Sequence, residues 1–206
     1  MKVLLGSTSP RRRDILGAVT PSLEITAPEA DETARPGEDP ERYALRVSEA
    51  KAISVMDRVG PNSPYLVVTC DTIVTLDGNI IGKPENLDHA MAIIGGLSGK
   101  THRVISALSL ATGPGGPATE SEASSVTFRK LSAREIADYL GKIHYMDKAG
   151  AYAVQEWGHL IIDRIEGSLT NVIGFPLRLF FRMAREFDRD GTIYFTHPAA
   201  KKLNIS

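Results

Sequence analysis

The chain has 206 residues, with 24 lysines and arginines against 25 aspartates and glutamates, a net charge of −1 at pH 7 and 42% hydrophobic residues. These values fit a soluble globular protein long enough for a substantial core, and they argue against bulk nucleic-acid binding, which takes a basic excess. One cysteine, Cys70, leaves no intrachain disulfide and no thiolate metal cluster, which fits a reducing compartment.

The N-terminal residues run straight into Lys2-Val3-Leu4 without a signal-peptide apolar region. No apolar run approaches the roughly 20 residues of a membrane helix. A cytoplasmic protein is therefore expected. Val3 to Leu5 reads as a buried strand and Gly6-Ser7-Thr8-Ser9 as a tight loop of small residues. Ser9 and Pro10 have the chemistry of a helix N-cap and first helical residue. Strand, loop and helix N-terminus form an anion site in which backbone N–H groups meet the positive end of a helix dipole. Arg11, Arg12 and Arg13 follow at once. Positive charge there opposes the dipole, whereas a bound polyanion would suit both, and guanidinium forks match phosphate oxygens.

A short strand is expected over Leu23 to Thr26, then an acidic loop from Pro28 to Glu38. Asp39-Pro40 starts a second helix running to about Val59, with Tyr43, Val47, Ala50 and Ser54 at helical spacing beside a stripe of Ala44, Ala52 and Val55. Arg46 and Lys51 on this helix read by default as solvated charges. Tyr65 to Cys70 is the clearest buried strand and ends on Asp71-Thr72, where a functional carboxylate or a strand-end cap would sit. Ile73 to Leu76, Asp77-Gly78 and Asn79 to Ile81 read as a β-hairpin, followed by Gly82-Lys83-Pro84.

A short helix from Asp88 to about Gly95 and a polar turn, Ser98 to His102, precede two long strands, Arg103 to Ala111 and Glu120 to Arg129. The alternation Val104, Ser106, Leu108, Leu110 predicts an antiparallel ribbon with one wetter face. Ser132 and Glu135 form a capping box. Leu160 to Gly167 reads as a strand, Ser168 to Phe175 as a connection, and Pro176 as the start of a last helix with Leu177, Phe180, Phe181, Ala184 and Phe187 on its core stripe. The tail from about residue 188 is polar and expected to pack loosely. Trp157 is a packing residue or a lid. With no repeat and no linker, residues 1–206 are expected to form a single α/β domain folded as two lobes around a cleft.

Chemistry follows from three groups: the Ser7–Arg13 loop, the carboxylates Asp31, Glu32 and Asp71, and the lysines Lys51, Lys83 and Lys148. Cations together with a few carboxylates point to a polyphosphate substrate held with a hard divalent ion, because carboxylates alone would repel phosphates. Asp71 is the candidate base for activating water. Gly99-Lys100-Thr101 is not a P-loop, since Ile94 stands where the first glycine is required.

The ordered set Ser7-Thr8-Ser9-Pro10-Arg11-Arg12, Asp31-Glu32-Thr33, Arg46 with Lys51-Ala52, Asp71-Thr72, Gly82-Lys83-Pro84, Leu97-Ser98-Gly99 with His102, Asp147-Lys148-Ala149-Gly150-Ala151-Tyr152 with Gln155, and Ile165-Glu166-Gly167-Ser168 with Asn171-Val172 and Gly174 resembles the Maf family of nucleotide pyrophosphatases over about residues 2 to 185. The resemblance implies hydrolysis of a nucleoside triphosphate to the monophosphate and pyrophosphate with a divalent cation, Mg²⁺ or Mn²⁺. It implies a mixed, twisted central sheet with flanking helices, similar to the inosine-triphosphate pyrophosphatases, and a homodimer, with neither a nucleic-acid polymer nor a membrane as partner. By the family pattern Asp71 is the proton acceptor, with Lys51, Lys83 and Glu32 as its catalytic companions. Glu32 and Asp71 would hold the metal, and Ser7, Thr8, Arg11, Arg12, Thr72 and Gln155 would bind substrate.

Family members acting on thymidine and uridine triphosphates share the pattern of Arg11, Thr72 and Gln155, whereas those preferring 7-methyl-GTP carry tryptophan in place of the first arginine and replace the later markers by glutamine and glutamate. The amide of Gln155 donates and accepts, which suits the O4/N3–H edge of uracil or thymine. The chain departs from the pattern at Gly6, where alanine is usual and the change is expected to be harmless, and at Glu156-Trp157, where glycine is more common. A nucleotide-binding regulator of septum formation without obligatory turnover is the alternative. A sugar phosphatase would leave Thr72 and Gln155 without a role.

Overall fold

The computed structural model describes residues 1–187 and Ile193. The expectation for the tail from about residue 188 lies outside the described residues, apart from Ile193, which is buried in the core. In chain order the elements are β1 (Lys2–Gly6), α1 (Pro10–Gly17), β2 (Leu23–Thr26), α2 (Pro40–Val59), β3 (Tyr65–Leu76), β4 (Asn79–Ile81), α3 (Leu87–Leu97), β5 (Thr101–Ala111), β6 (Ala118–Phe128), α4 (Ala133–Leu140), β7 (Ile162–Glu166), α5 (Leu169–Ile173) and α6 (Leu177–Ala184). The sheet is mixed and open, with strand order β2-β1-β3-β5-β6-β7, and β4 paired to β3 off that path. β1 runs parallel to β2 and β3, while β4 and β7 are antiparallel to their neighbours. Among the described residues no helix is long and apolar enough to cross a membrane.

The chain divides into two compact units. One comprises Met1–Asp71, Ser106–Glu122 and the described residues from Gly174 onward; the other comprises Thr72–Ile105 and Ala123–Ile173. In the first, Val3, Leu5, Leu66, Val68 and Cys70 of β1 and β3 pack with Leu16 of α1 and with Leu177, Phe180 and Met183 of α6. A smaller cluster, Leu4, Val55, Val67 and Ala111, lies under α2. In the second, Val74, Ile94, Leu97, Val104, Phe128, Ile136, Tyr139 and Ile161 form a separate core. The periodicity of the sequence is the cause: strand residues alternate, and helix residues recur at three and four.

Several expectations need correction. Tyr65 to Cys70 does not end at Asp71: β3 is one strand of 12 residues, so Asp71 lies inside it rather than capping its end. β5 has no wetter face, because it is buried from Val104 to Ala111; alternation is seen instead in the second half of β6. His102 belongs to β5 and is buried, not part of a turn. The connection after Ser168 contains a short helix, α5. Ser9 occupies the N-cap of α1, but its side chain makes no cap; Ser7 Oγ instead accepts the Ser9 N–H at 3.2 Å. The capping box at Ser132 and Glu135 is present as expected.

Gly6 is not interchangeable with alanine. A Cβ there would stand 2.7 Å from Thr69 Cγ2 and 2.9 Å from Val55 Cγ2, inside van der Waals contact. Both neighbours are β-branched and stiff at χ1. Gly6→Ala is predicted to destabilise the protein by about 1–3 kcal/mol, the usual cost of overpacking. Thr69→Ser, which removes the closer methyl group, should recover part of that loss in urea titrations of the double variant.

Candidate active site

In the first unit the site grows from the meeting of α2 and β3. The buried face of α2 carries Ala44, Val47, Ser48, Lys51, Ala52 and Val55. Lys51 follows Val47 and precedes Val55 by four residues, so the helical period points it inward. This overturns its default reading as a solvated charge. The register between α2 and β3 is fixed by hydroxyls: Thr69 Oγ1 donates to the Ser48 carbonyl at 2.7 Å, and Ser48 Oγ lies 2.9 Å from Ser109 Oγ. Lys51 Nζ then reaches Asp71 Oδ1 at 2.7 Å and Glu32 Oε1 at 2.9 Å. Lys51 and Asp71 are nearly covered, with side chains 7% and 9% exposed, while that of Glu32 is 55% exposed. One ammonium thus binds a buried carboxylate on one side and a solvent-facing one on the other.

The Ser7 loop follows β1. Gly6 pairs with Thr69, the last pair of the β1–β3 ladder, so β3 runs past the end of its neighbour. Arg12 takes up the backbone there. Its Nη1 donates to the Cys70 carbonyl at 2.6 Å and to Ser7 Oγ at 3.4 Å, and its Nε donates to the Gly174 carbonyl at 3.0 Å. Arg12 thus braces the backbone around the loop it belongs to. Ser7 is buried, Arg11 half-buried and Thr8 exposed at the start of α1.

The second unit holds the other sequence-derived candidates. Thr72 follows Asp71 on β3 and is half-buried. Lys83 is exposed in the loop after β4, and that loop is tied to the Asp147–Tyr152 segment by the Gly150 N–H donating to the Gly82 carbonyl at 3.1 Å. Gln155 is exposed on a turn whose next residue, Glu156, pairs with the buried Lys148 at 3.3 Å. Lys148 also pairs with Asp147 at 2.9 Å and donates to the His144 carbonyl. Lys148 is thus a buried cation held by two carboxylates and a carbonyl, as Lys51 is held by two carboxylates. Trp157 is half exposed, left-handed at φ 58°, and has Lys142 Nζ 5.2 Å from its ring centre; it is not a core packing residue. Beneath this surface His102 sits edge-on to Phe128 and Tyr152, with Nε2 2.8 Å from the Tyr152 hydroxyl. Burial pushes its imidazole down to about 4, so the ring is neutral at neutral pH.

The sequence gives no role to the residues that shape the acidic loop, although Arg46 stands in the family pattern. Tyr43 lies on a packing stripe of α2, yet its hydroxyl donates to the Glu32 carbonyl at 2.8 Å. Arg46 grips Glu38 through two bonds of 2.7 Å. The available signal was their spacing of three residues on α2, which places both side chains on one face.

Among the described residues no three His, Cys, Asp or Glu side chains cluster as a metal cage. Mg²⁺ is commonly held by one or two carboxylates, with phosphate and water completing the shell. Glu32 and Asp71, two oxygen donors drawn together by Lys51, fit that mode of binding. Removing the ammonium would leave a buried carboxylate without its counter-charge, which costs about 3 kcal/mol or more. Lys51→Met is therefore predicted to lower stability by about that amount in denaturant titrations, and adding Asp71→Asn should restore a large part.

A family model described as Maf-like protein matches residues 2–187. The dTTP/UTP pyrophosphatase of Methylococcus capsulatus is 41% identical over 185 residues, covering 90% of this chain and 90% of its own. Those of Syntrophomonas wolfei and Porphyromonas gingivalis are 39% and 37% identical, covering 88% and 90% of this chain and 95% and 94% of their own. Among solved structures, the Staphylococcus aureus Ham1 protein aligns over 90% of this chain and 100% of its own, with a TM-score of 0.47 at 12% identity. The family match runs through the Ser7 loop, the Lys51–Asp71 pair and the Gln155 turn alike, and the chain belongs to the Maf family.

Proposed function

We propose that this protein is a nucleoside triphosphate pyrophosphatase that hydrolyses dTTP and UTP, with related modified pyrimidine nucleotides as further substrates, to the monophosphate and pyrophosphate. The observation that carries the reading is the buried Lys51 holding Asp71 and Glu32 together beside the Ser7–Arg12 loop. The names of the relatives support the substrate class.

Water and dTTP give dTMP and pyrophosphate: one P–O bond of the α–β anhydride breaks, and the oxygen of water forms a new one. Asp71 takes the proton of the attacking water. Its Oδ1 bonds Lys51, so Oδ2 is the oxygen assigned to that proton. Glu32 and Asp71 would hold a divalent ion, Mg²⁺ or Mn²⁺, which when bound would neutralise phosphate oxygens and so permit carboxylates near a polyanion. Ser7, Thr8, Arg11 and Arg12, at the N-terminus of α1, hold phosphates. For the second unit the assignment rests on the family resemblance: Lys83 as a phosphate cation, Thr72 and Gln155 as readers of the base. A cytoplasmic homodimer, acting on free nucleotides and on neither nucleic-acid polymers nor membranes, completes the proposal. Nothing in the site favours a regulator without turnover, which would need no proton acceptor at Asp71.

The test is pyrophosphate release from dTTP, UTP, CTP and 7-methyl-GTP with Mg²⁺, wild type beside Asp71→Asn. Fast release from dTTP and UTP is expected, falling by about 100-fold or more in the variant, the scale of a lost general base. Preference for 7-methyl-GTP would refute the assignment of Arg11, Thr72 and Gln155. Nucleotide binding without turnover in the wild type would refute the enzyme.

A further inference from the structure

The acidic loop between β2 and α2 has no regular secondary structure, and residues 31–37 are exposed. Glu32 nonetheless meets Lys51 at 2.9 Å. An exposed loop keeps such a contact only if something fixes its backbone, because each unfixed residue carries conformational entropy. The first turns of α2 provide the fixing groups. Arg46 makes a bidentate fork with Glu38, Nε to Oε1 and Nη2 to Oε2, both at 2.7 Å. The same Nη2 donates to the Thr33 carbonyl at 3.1 Å. Glu38 Oε2 also accepts the Arg35 N–H at 3.0 Å. The guanidinium lies 5.5 Å from the centre of the Tyr43 ring, and the Tyr43 hydroxyl donates to the Glu32 carbonyl. The Arg46 and Glu38 side chains are 22% and 11% exposed, unlike the loop they hold.

We propose that Arg46, backed by Tyr43, is a positioning residue that clamps the 31–38 loop so that Glu32 is presented to Lys51 and Asp71. Arg46 touches neither of those two side chains; it acts through the backbone at Thr33 and through Glu38. The hydrogen bonds from Arg46 hold the Glu38 carboxyl down at about 2, so the fork stays ionised at any working pH. The functional part of this inference rests on the proposed pyrophosphatase; the clamping part stands on geometry.

The test is a double-mutant cycle on the full chain with Arg46→Met, Glu32→Gln and both together, beside Arg46→Lys and the milder Tyr43→Phe. Turnover of dTTP with Mg²⁺ and amide hydrogen exchange over residues 30–38 are the two readouts. Arg46→Met is expected to speed exchange in the loop about tenfold and to lower kcat about tenfold, with KM for dTTP changed by no more than about twofold. Arg46→Lys should not rescue, because an ammonium cannot form the fork. Tyr43→Phe should shift both readouts the same way by less. In the Glu32→Gln background the Arg46 substitution should cost no more than about twofold further, since its route runs through Glu32. Full additivity in the cycle would overturn the positioning role, and so would faster exchange with unchanged kcat. Unchanged exchange in Arg46→Met would overturn the clamp itself. If the wild type does not hydrolyse dTTP or UTP, the proposed function falls, and the exchange data alone decide whether Arg46 holds the loop.

Discussion

An ammonium buried in a protein must be compensated, and in the first unit Lys51 is compensated by Asp71 within the sheet and by Glu32 from the loop. Much else serves that contact. α2 has to approach β3 closely enough for Lys51 to reach, and the Ser48, Thr69 and Ser109 hydroxyls set the register. Gly6 makes room where β1 meets Thr69 and Val55. Arg12 satisfies backbone carbonyls beyond the end of the β1–β3 ladder, which keeps the Ser7 loop beside the same stretch of β3. A charge arrangement that would be poor value for stability alone makes sense as a site kept ready for a polyanion.

The second unit uses a related device. Lys148 is also buried, and its partners Asp147 and Glu156 bracket the segment that carries Gln155. The Gly150 N–H ties the same segment to the Lys83 loop. Neutral His102, with Phe128 and Tyr152, fills the space below with aromatic edges rather than charge. In both units a lysine is buried against two carboxylates: around Lys51 one is buried and one exposed, and around Lys148 both are partly exposed.

Elements were legible in the sequence where period and punctuation agreed. Asp39-Pro40, the Ser132–Glu135 box, and the unbroken apolar runs of β1 and β3 locate their elements closely, because caps and apolar runs are local properties. What failed to show was non-local. The β3–β4 hairpin was legible from its Asp77-Gly78 turn, but not that β3 runs through Asp71 and Thr72 without a break, and the burial of β5 depends on what covers both its faces. Lys51 could be placed on the inner stripe by counting from Val47, but only a partner such as Asp71 makes burial tolerable, and partners are not visible in one dimension. The family resemblance named Asp71, Lys51 and Glu32 together; the structure adds why they stand together. Arg46 stood in the family pattern without a role and Tyr43 only on a packing stripe, because their targets are backbone carbonyls and a loop acid. Arg12 was expected to meet phosphate, and its bonds to the Cys70 and Gly174 carbonyls required the folded chain.

The most direct test of the account is the identity of the products, followed by ³¹P NMR while the wild-type protein turns over dTTP with Mg²⁺. A site that activates water for the α–β anhydride predicts dTMP and pyrophosphate from the first time point, with no dTDP. Accumulation of dTDP and orthophosphate would contradict it, because the bond broken would then be the terminal one.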